Sequence, residues 1–191
     1  MITIVSGLPR SGTSLMMQML ENGGMPVLYD NVREADESNP KGYYELEKVK
    51  SIEKDNSWVA EAEGKVLKVV APLLHALPSN LKYRIIFMER PLDEIIRSQR
   101  DMLQRNGSNV DQNDDETLTI AFGRQLRQIK DWLLLQENMD VCFVGYQDVM
   151  DHAEAEISRI VEFLGFGLNR NKMLEAIESD LYRHRLKETA A

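Results

Sequence analysis

A short apolar run ends at Ile4-Val5, gives way to Ser6-Gly7-Leu8-Pro9-Arg10-Ser11-Gly12, and resumes at helical spacing through Leu15, Met16, Met17 and Leu20. Strand, glycine-bounded loop and helix in that order form a cradle for a phosphate-like anion. The loop and the positive end of the helix present backbone N–H groups, and the glycines permit close approach. The spacing from Gly7 to Gly12, with Thr13 and Ser14 following, is that of the Walker A loop, but Thr13 stands where that motif has its lysine. The nearest cation is Arg10, inside the loop. Its planar guanidinium can hold two oxygens of a transferring group at once.

Downstream, hydrophobic periodicity predicts strands at about 65–70, 83–89 and 140–146 in addition to the first at 2–6. Helices are predicted at 13–22, 45–57, 92–105, 115–136, 152–164 and about 169–180, with polar loops over 29–44 and 106–115. Alternating strands and helices imply an α/β fold: a single-domain, P-loop-like sandwich, residues 1–191, with a parallel sheet and helices on both faces. Ligands of such sheets bind beyond the carboxyl ends of the strands. Asp93 and Glu94 open the 92–105 helix while Arg100 and Arg105 lie near its end, an arrangement that complements the helix macrodipole. In the 115–136 helix, Leu118, Phe122, Leu126, Ile129 and Leu133 form an apolar stripe expected to face the core, with Trp132 as packing.

The chain has 191 residues, 43% of them hydrophobic, enough for one α/β core. A net charge of −8 argues against a general nucleic-acid binder and makes any polyanion site local. The lone cysteine, Cys142, lies in a strand-like run and reads as core, and four methionines between Met16 and Met25 read as core filler rather than a soft binding surface. No basic, apolar leader opens the sequence and no run approaches the ~20 apolar residues of a membrane span, so the expected location is cytoplasmic.

The wording Pro9-Arg10-Ser11-Gly12-Thr13-Ser14 resembles the 5′-phosphosulfate loop of sulfotransferases that use 3′-phosphoadenosine 5′-phosphosulfate (PAPS). Arg90, at the end of the 83–89 strand, and Ser98, eight positions on, match the family's 3′-phosphate ligands. Tyr146-Gln147-Asp148-Val149 and Phe163-Leu164-Gly165 resemble two later family elements, so the likeness spans nearly the whole chain. It implies PAPS as co-substrate, 3′,5′-ADP (PAP) as product, and no metal requirement. The implied nucleotide ligands are Arg10, Ser11, Gly12, Thr13, Ser14, Arg90 and Ser98, with Tyr146 at the adenine.

For the general base the resemblance branches. Cytosolic members carry a histidine two residues after a strand lysine; here Lys68 keeps the lysine, Val70 takes the histidine's place and His75 lies five further on. Other branches use a glutamate from the region after the first helix. That region contains Glu34 and the run Asn39-Pro40-Lys41-Gly42-Tyr43-Tyr44-Glu45, which looks like an element common in bacterial sulfotransferase-like proteins. Pro40 and Gly42 set a turn that presents Glu45. Glu45 is the first candidate base, Glu34 the second, and Lys68 a candidate aid to the leaving group; solvated surface roles are the alternative for each. Members often add a basic Arg-Lys-Gly segment near the C-terminus, absent here, for which Arg183, His184 and Arg185 are candidates.

The acceptor implied is a small molecule or carbohydrate, with Tyr43, Tyr44 and Trp58 either lining its pocket or packing locally. An open cleft or a site completed by a homodimer suits so short a chain. The competing readings are a P-loop kinase, with Glu89 as the metal-holding acid, and a nucleotide-binding relative without a working base.

Overall fold

A computed structural model of the chain describes residues 1–30, 32–33, 39, 42–105 and 115–177. Five strands form one parallel sheet: β1 (Ile2–Gly7), β2 (Val27–Leu28), β3 (Val66–Lys68), β4 (Tyr83–Glu89) and β5 (Met139–Gly145), in the order β2-β3-β1-β4-β5. The helices are α1 (Thr13–Asn22), α2 (Leu92–Arg105), α3 (Asp115–Leu133), α4 (Tyr146–Asp151), α5 (Ala153–Leu164) and α6 (Arg170–Leu174). The architecture is the expected α/β sandwich. After β1 the chain runs to the edge strand β2, returns to β3 beside β1, then crosses to β4 on the other side. The strand order therefore reverses around β1, and a crevice opens at the carboxyl ends of β1 and β4.

Side chains of successive strand residues point to opposite faces, and each face has its own core. Val5, Ile86, Met88, Cys142 and Val144 pack with Met16, Met17, Met19 and Leu20 of α1, Ile157, Ile160 and Leu164 of α5 and Met173 of α6. Ile2, Ile4, Leu67, Ile85 and Phe87 pack on the other face with Trp58, Val59, Leu74 and Leu133. The clustered methionines and Cys142 are thus core residues, each worth about 1.5–3 kcal/mol of burial for a side chain of methionine size. Among the described residues, no helix is long and apolar enough to cross a membrane.

Several boundaries differ from the sequence reading. The expected 45–57 helix is replaced by two short 3-10 turns, Glu47–Ser51 and Ser57–Ala62. Between them Asp55 accepts hydrogen bonds from the Ser57 N–H and hydroxyl, a local side-chain turn that competes with helix continuation. The expected 65–70 strand is shorter, and Pro72 opens a further 3-10 turn, Ala71–Ala76. The 115–136 helix stops at Leu133, where Gln136 turns back to donate to the Trp132 carbonyl. Its apolar stripe reaches the core only at the C-terminal end: Leu133 is 1% exposed and Leu118 39%. The 152–164 helix is present as α5, and a further short helix that was not expected, α4, precedes it and is separated from it at His152 (φ −134°). The last helix covers only Arg170–Leu174; residues 178–180 and Arg183, His184 and Arg185 lie outside the described residues, as does 106–114 of the second polar loop.

Two glycines of equal φ separate the roles that glycine plays here. Gly12 and Gly24 both have φ +97°, but a Cβ on Gly12 would sit 2.3 Å from the Tyr146 ring, whereas nothing lies within 4 Å of one on Gly24. Gly24→Ala is expected to cost about 1–2 kcal/mol, the backbone penalty alone. Gly12→Ala is expected to cost about 1–3 kcal/mol more from overpacking. Urea denaturation of both variants checks this; equal losses would show that the Tyr146 contact gives way freely.

Candidate active site

Four adjacent strands each deliver a side chain or loop to one place. Beyond β1 runs the loop to Gly12; β3 ends on Lys68; Arg90 follows β4; Tyr146 follows β5. These residues line a cleft of about 380 Å³ together with Arg10, Thr13, Ser14, Glu45 and Ser98. A volume of that order suits a small-molecule site.

The first turn of α1 has no side-chain cap, since Gly12 occupies the N-cap position, so its N–H groups are left for solvent or a ligand at the cleft wall. Ser11 is 1% exposed, and its buried hydroxyl has no hydrogen-bond partner among the described residues. Arg10 adopts φ +72°, a left-handed conformation that costs a non-glycine residue about 1 kcal/mol or more, and its Nε donates to Ser98 Oγ at 2.9 Å. The loop arginine and the α2 serine, which lie 88 positions apart, are thus in direct contact.

Arg90 is held on several sides. Its Nε donates to Glu94 Oε2 at 2.8 Å, its Nη1 donates to the Arg10 carbonyl at 3.2 Å, and its guanidinium lies 4.6 Å from the Tyr146 ring centroid. Tyr146 therefore packs between Gly12 and Arg90, and burial pushes its hydroxyl pKa up while Arg90 opposes the shift.

Lys68 and Glu45 form the opposite wall. Lys68 Nζ donates to the Tyr43 carbonyl at 2.8 Å and to Ser14 Oγ at 3.2 Å, and lies 3.8 Å from Glu45 Oε1. Arg33 Nη1 donates to the same Glu45 oxygen at 2.9 Å and stacks over the Tyr43 ring at 3.4 Å. Ser14 Oγ also accepts from Asn39 at 2.9 Å, tying that residue to α1. Burial lowers the Lys68 pKa to about 8; Glu45 opposes that shift, and Arg33 and Arg10 add to it.

The sequence candidates come together with defined exceptions. Arg10, Gly12, Thr13, Ser14, Glu45, Lys68, Arg90, Ser98 and Tyr146 line the cleft; Ser11 is buried and does not line it, and Glu34 lies outside the described residues. His75 does not reach the cleft; it is exposed and faces Glu53 at 3.1 Å. Of the three aromatics, Tyr43 lines the cleft, Trp58 is core, and Tyr44 stacks on Tyr29 and donates to Glu21. Sequence reasoning missed Met102 and Arg105, which line the cleft from α2. Their spacing from Ser98, i+4 and i+7, is the signal that finds them. Among the described residues no group of three or more His, Cys, Asp or Glu side chains is placed to hold a metal ion.

The depressed Lys68 pKa has a consequence for stability. Below about pH 8 the amine is protonated in both folded and unfolded chains, and the full cost of burying its charge is present. Between about pH 8 and the ordinary value of 10.5 the folded state sheds the proton while the unfolded state keeps it, so stability rises. From about pH 8 to pH 10 the wild type is expected to gain about 2 kcal/mol relative to Lys68→Met. Paired urea titrations measure it, and parallel pH profiles would refute it.

The sulfotransferase domain family matches residues 2–191. Mouse (Mus musculus) sulfotransferase 1A1 is 24% identical over 185 residues, covering 86% of this chain and 60% of that protein, so the chain spans about three fifths of the length of this relative. A solved sulfotransferase domain from the curacin biosynthetic pathway superposes with a TM-score of 0.53 at 15% identity, covering 94% of this chain and 78% of that one, a likeness of fold. With strand order, the glycine-bounded β1–α1 loop and the cleft already in place, the match over nearly the entire chain makes it a member of the sulfotransferase family.

Proposed function

We propose that this protein transfers a sulfuryl group from PAPS to a hydroxyl or amine of a small-molecule or carbohydrate acceptor bound in the cleft. The observation that carries the reading is the convergence there of a lysine-free phosphate loop, the Arg90 and Ser98 side chains, and a carboxylate beside a buried lysine. The uncapped α1 N-terminus suits an anion such as the 5′-phosphosulfate.

In the transfer, the acceptor oxygen bonds to sulfur in line as the bond from sulfur to the bridging oxygen breaks, and 3′,5′-ADP leaves with the electron pair. The protein contributes position and charge. Arg10 and the backbone of residues 11–14 hold the sulfuryl and 5′-phosphate oxygens, and Arg90 with Ser98 binds the 3′-phosphate. Lys68, largely protonated at neutral pH, stabilises charge on the bridging oxygen. Glu45 takes the acceptor proton; Arg33 and Lys68 both contact its Oε1, and Oε2 receives the proton. The acceptor side, with Arg33, Gln99, Asp101 and Arg105 beside Tyr43 and Met102, favours a polar, hydroxylated acceptor over an apolar one.

The kinase reading loses its metal-holding candidate: Glu89 pairs with Lys130 and does not line the cleft. Thermal shift separates the two. 3′,5′-ADP at about 100 times its Kd is expected to add about 2.7 kcal/mol, several degrees here, without metal and in EDTA. Stabilisation by ATP only with Mg²⁺ would overturn the sulfotransferase reading.

The base assignment has its own test, in a radiolabelled-PAPS transfer assay against a panel of polar acceptors. Glu45→Gln is expected to lower kcat by about 10²–10⁴-fold while 3′,5′-ADP affinity stays within about threefold. Undiminished kcat would remove Glu45 from the mechanism.

A further inference from the structure

Glu94 entered the sequence reading only as one of two acids in the first turn of α2. The structure separates the pair: Asp93 is exposed, whereas Glu94 is 1% exposed. A carboxylate buried so completely costs several kcal/mol unless it is matched, and the match is the Arg90 side chain, itself 7% exposed. Burial on this scale is far more than macrodipole compensation needs, because that effect is available at the surface.

The geometry shows what the burial achieves. An arginine with a free side chain can rotate about four torsions, and a ligand that captures it must restrict them all. Here Glu94 Oε2 takes the Nε–H, the Arg10 carbonyl takes an Nη1–H, and the Tyr146 ring lies against the guanidinium. Carboxylate and carbonyl fix the direction of the group in its plane, and the ring fixes the plane itself. The Glu94 contact comes from one helical turn away and lies outside the cleft lining, so it can hold Arg90 without touching a bound nucleotide.

We propose that Glu94 is a positioning residue: it orients the Arg90 guanidinium before the nucleotide arrives and so sets how strongly the site distinguishes a 3′-phosphorylated nucleotide from one without that phosphate. The inference rests on Arg90 being the 3′-phosphate ligand. Glu94 also withdraws part of the charge of Arg90 from the ligand, so the selectivity it confers is geometric rather than Coulombic. An acceptor of the same shape but no charge at position 94 keeps the geometry.

The test is the ratio of affinities for 3′,5′-ADP and 5′-AMP, two nucleotides that differ by the 3′-phosphate alone, measured by calorimetry on the full chain. Wild type is expected to prefer 3′,5′-ADP, and Glu94→Ala to reduce that preference at least about tenfold while 5′-AMP affinity stays within about threefold. Glu94→Gln, whose amide oxygen still accepts from Nε, is expected to retain the preference. A merely structural residue would weaken both nucleotides alike and leave the ratio unmoved, which overturns the inference. Should Glu94→Ala fail to fold, Glu94→Asp serves: its shorter reach draws the guanidinium out of place, and an unchanged ratio again refutes the role. A wild type without preference for 3′,5′-ADP would bring down the assignment of Arg90 as well; a wild-type preference that Glu94→Ala leaves intact brings down the positioning role alone.

Discussion

The interaction on which the cleft depends is the burial of two cations, Lys68 and Arg90, in an otherwise acidic chain, where each is matched by polar partners that also orient it. For Arg90 the partners are a carboxylate, a backbone carbonyl and an aromatic ring. Lys68 has a carbonyl and a hydroxyl close by, with the Glu45 carboxylate farther off at 3.8 Å. The difference shows in the pKa: desolvation outweighs the attraction of Glu45, and the amine falls to about 8. Burying that charge costs stability below about pH 8.

The sheet makes the arrangement possible. Parallel strands send all their carboxyl ends to one edge, so residues far apart in sequence, Gly7, Lys68, Arg90 and Tyr146, emerge side by side. Two apolar clusters, one on each face, hold that edge in register. Gly12 and Tyr146 show how tight it is: the loop between β1 and α1 closes over an aromatic from the far end of the sheet, with no space for a Cβ between them.

Ser14 links the two halves of the site. Its hydroxyl meets Asn39 and Lys68, and the Tyr43 carbonyl that Lys68 also contacts belongs to the segment carrying Glu45. The N-terminal turn of α1 and the wall with the candidate base therefore share one hydrogen-bond cluster. A displacement of either is felt by the other, because buried hydrogen bonds are costly to leave unmade.

Much of this was legible in the sequence. The order of strands and long helices follows from hydrophobic periodicity, and the glycine-bounded loop from local wording, because backbone turns are encoded over a few neighbouring residues; Arg90, Ser98 and Glu45 were singled out by resemblance to family motifs. Element ends were less legible: at Asp55 a side chain captured the backbone, and at Leu118 a stripe of helical period ran past the edge of the core. The sequence by itself determined the parallel α/β class and the glycine-bounded loop that follows the first strand. Only the tertiary structure decided that Trp58 is core and Tyr43 is cleft, that His75 stands away from the site, and that Glu94 is buried against Arg90. Those outcomes depend on distances across the sheet and on the local loss of water, and no window of sequence contains either.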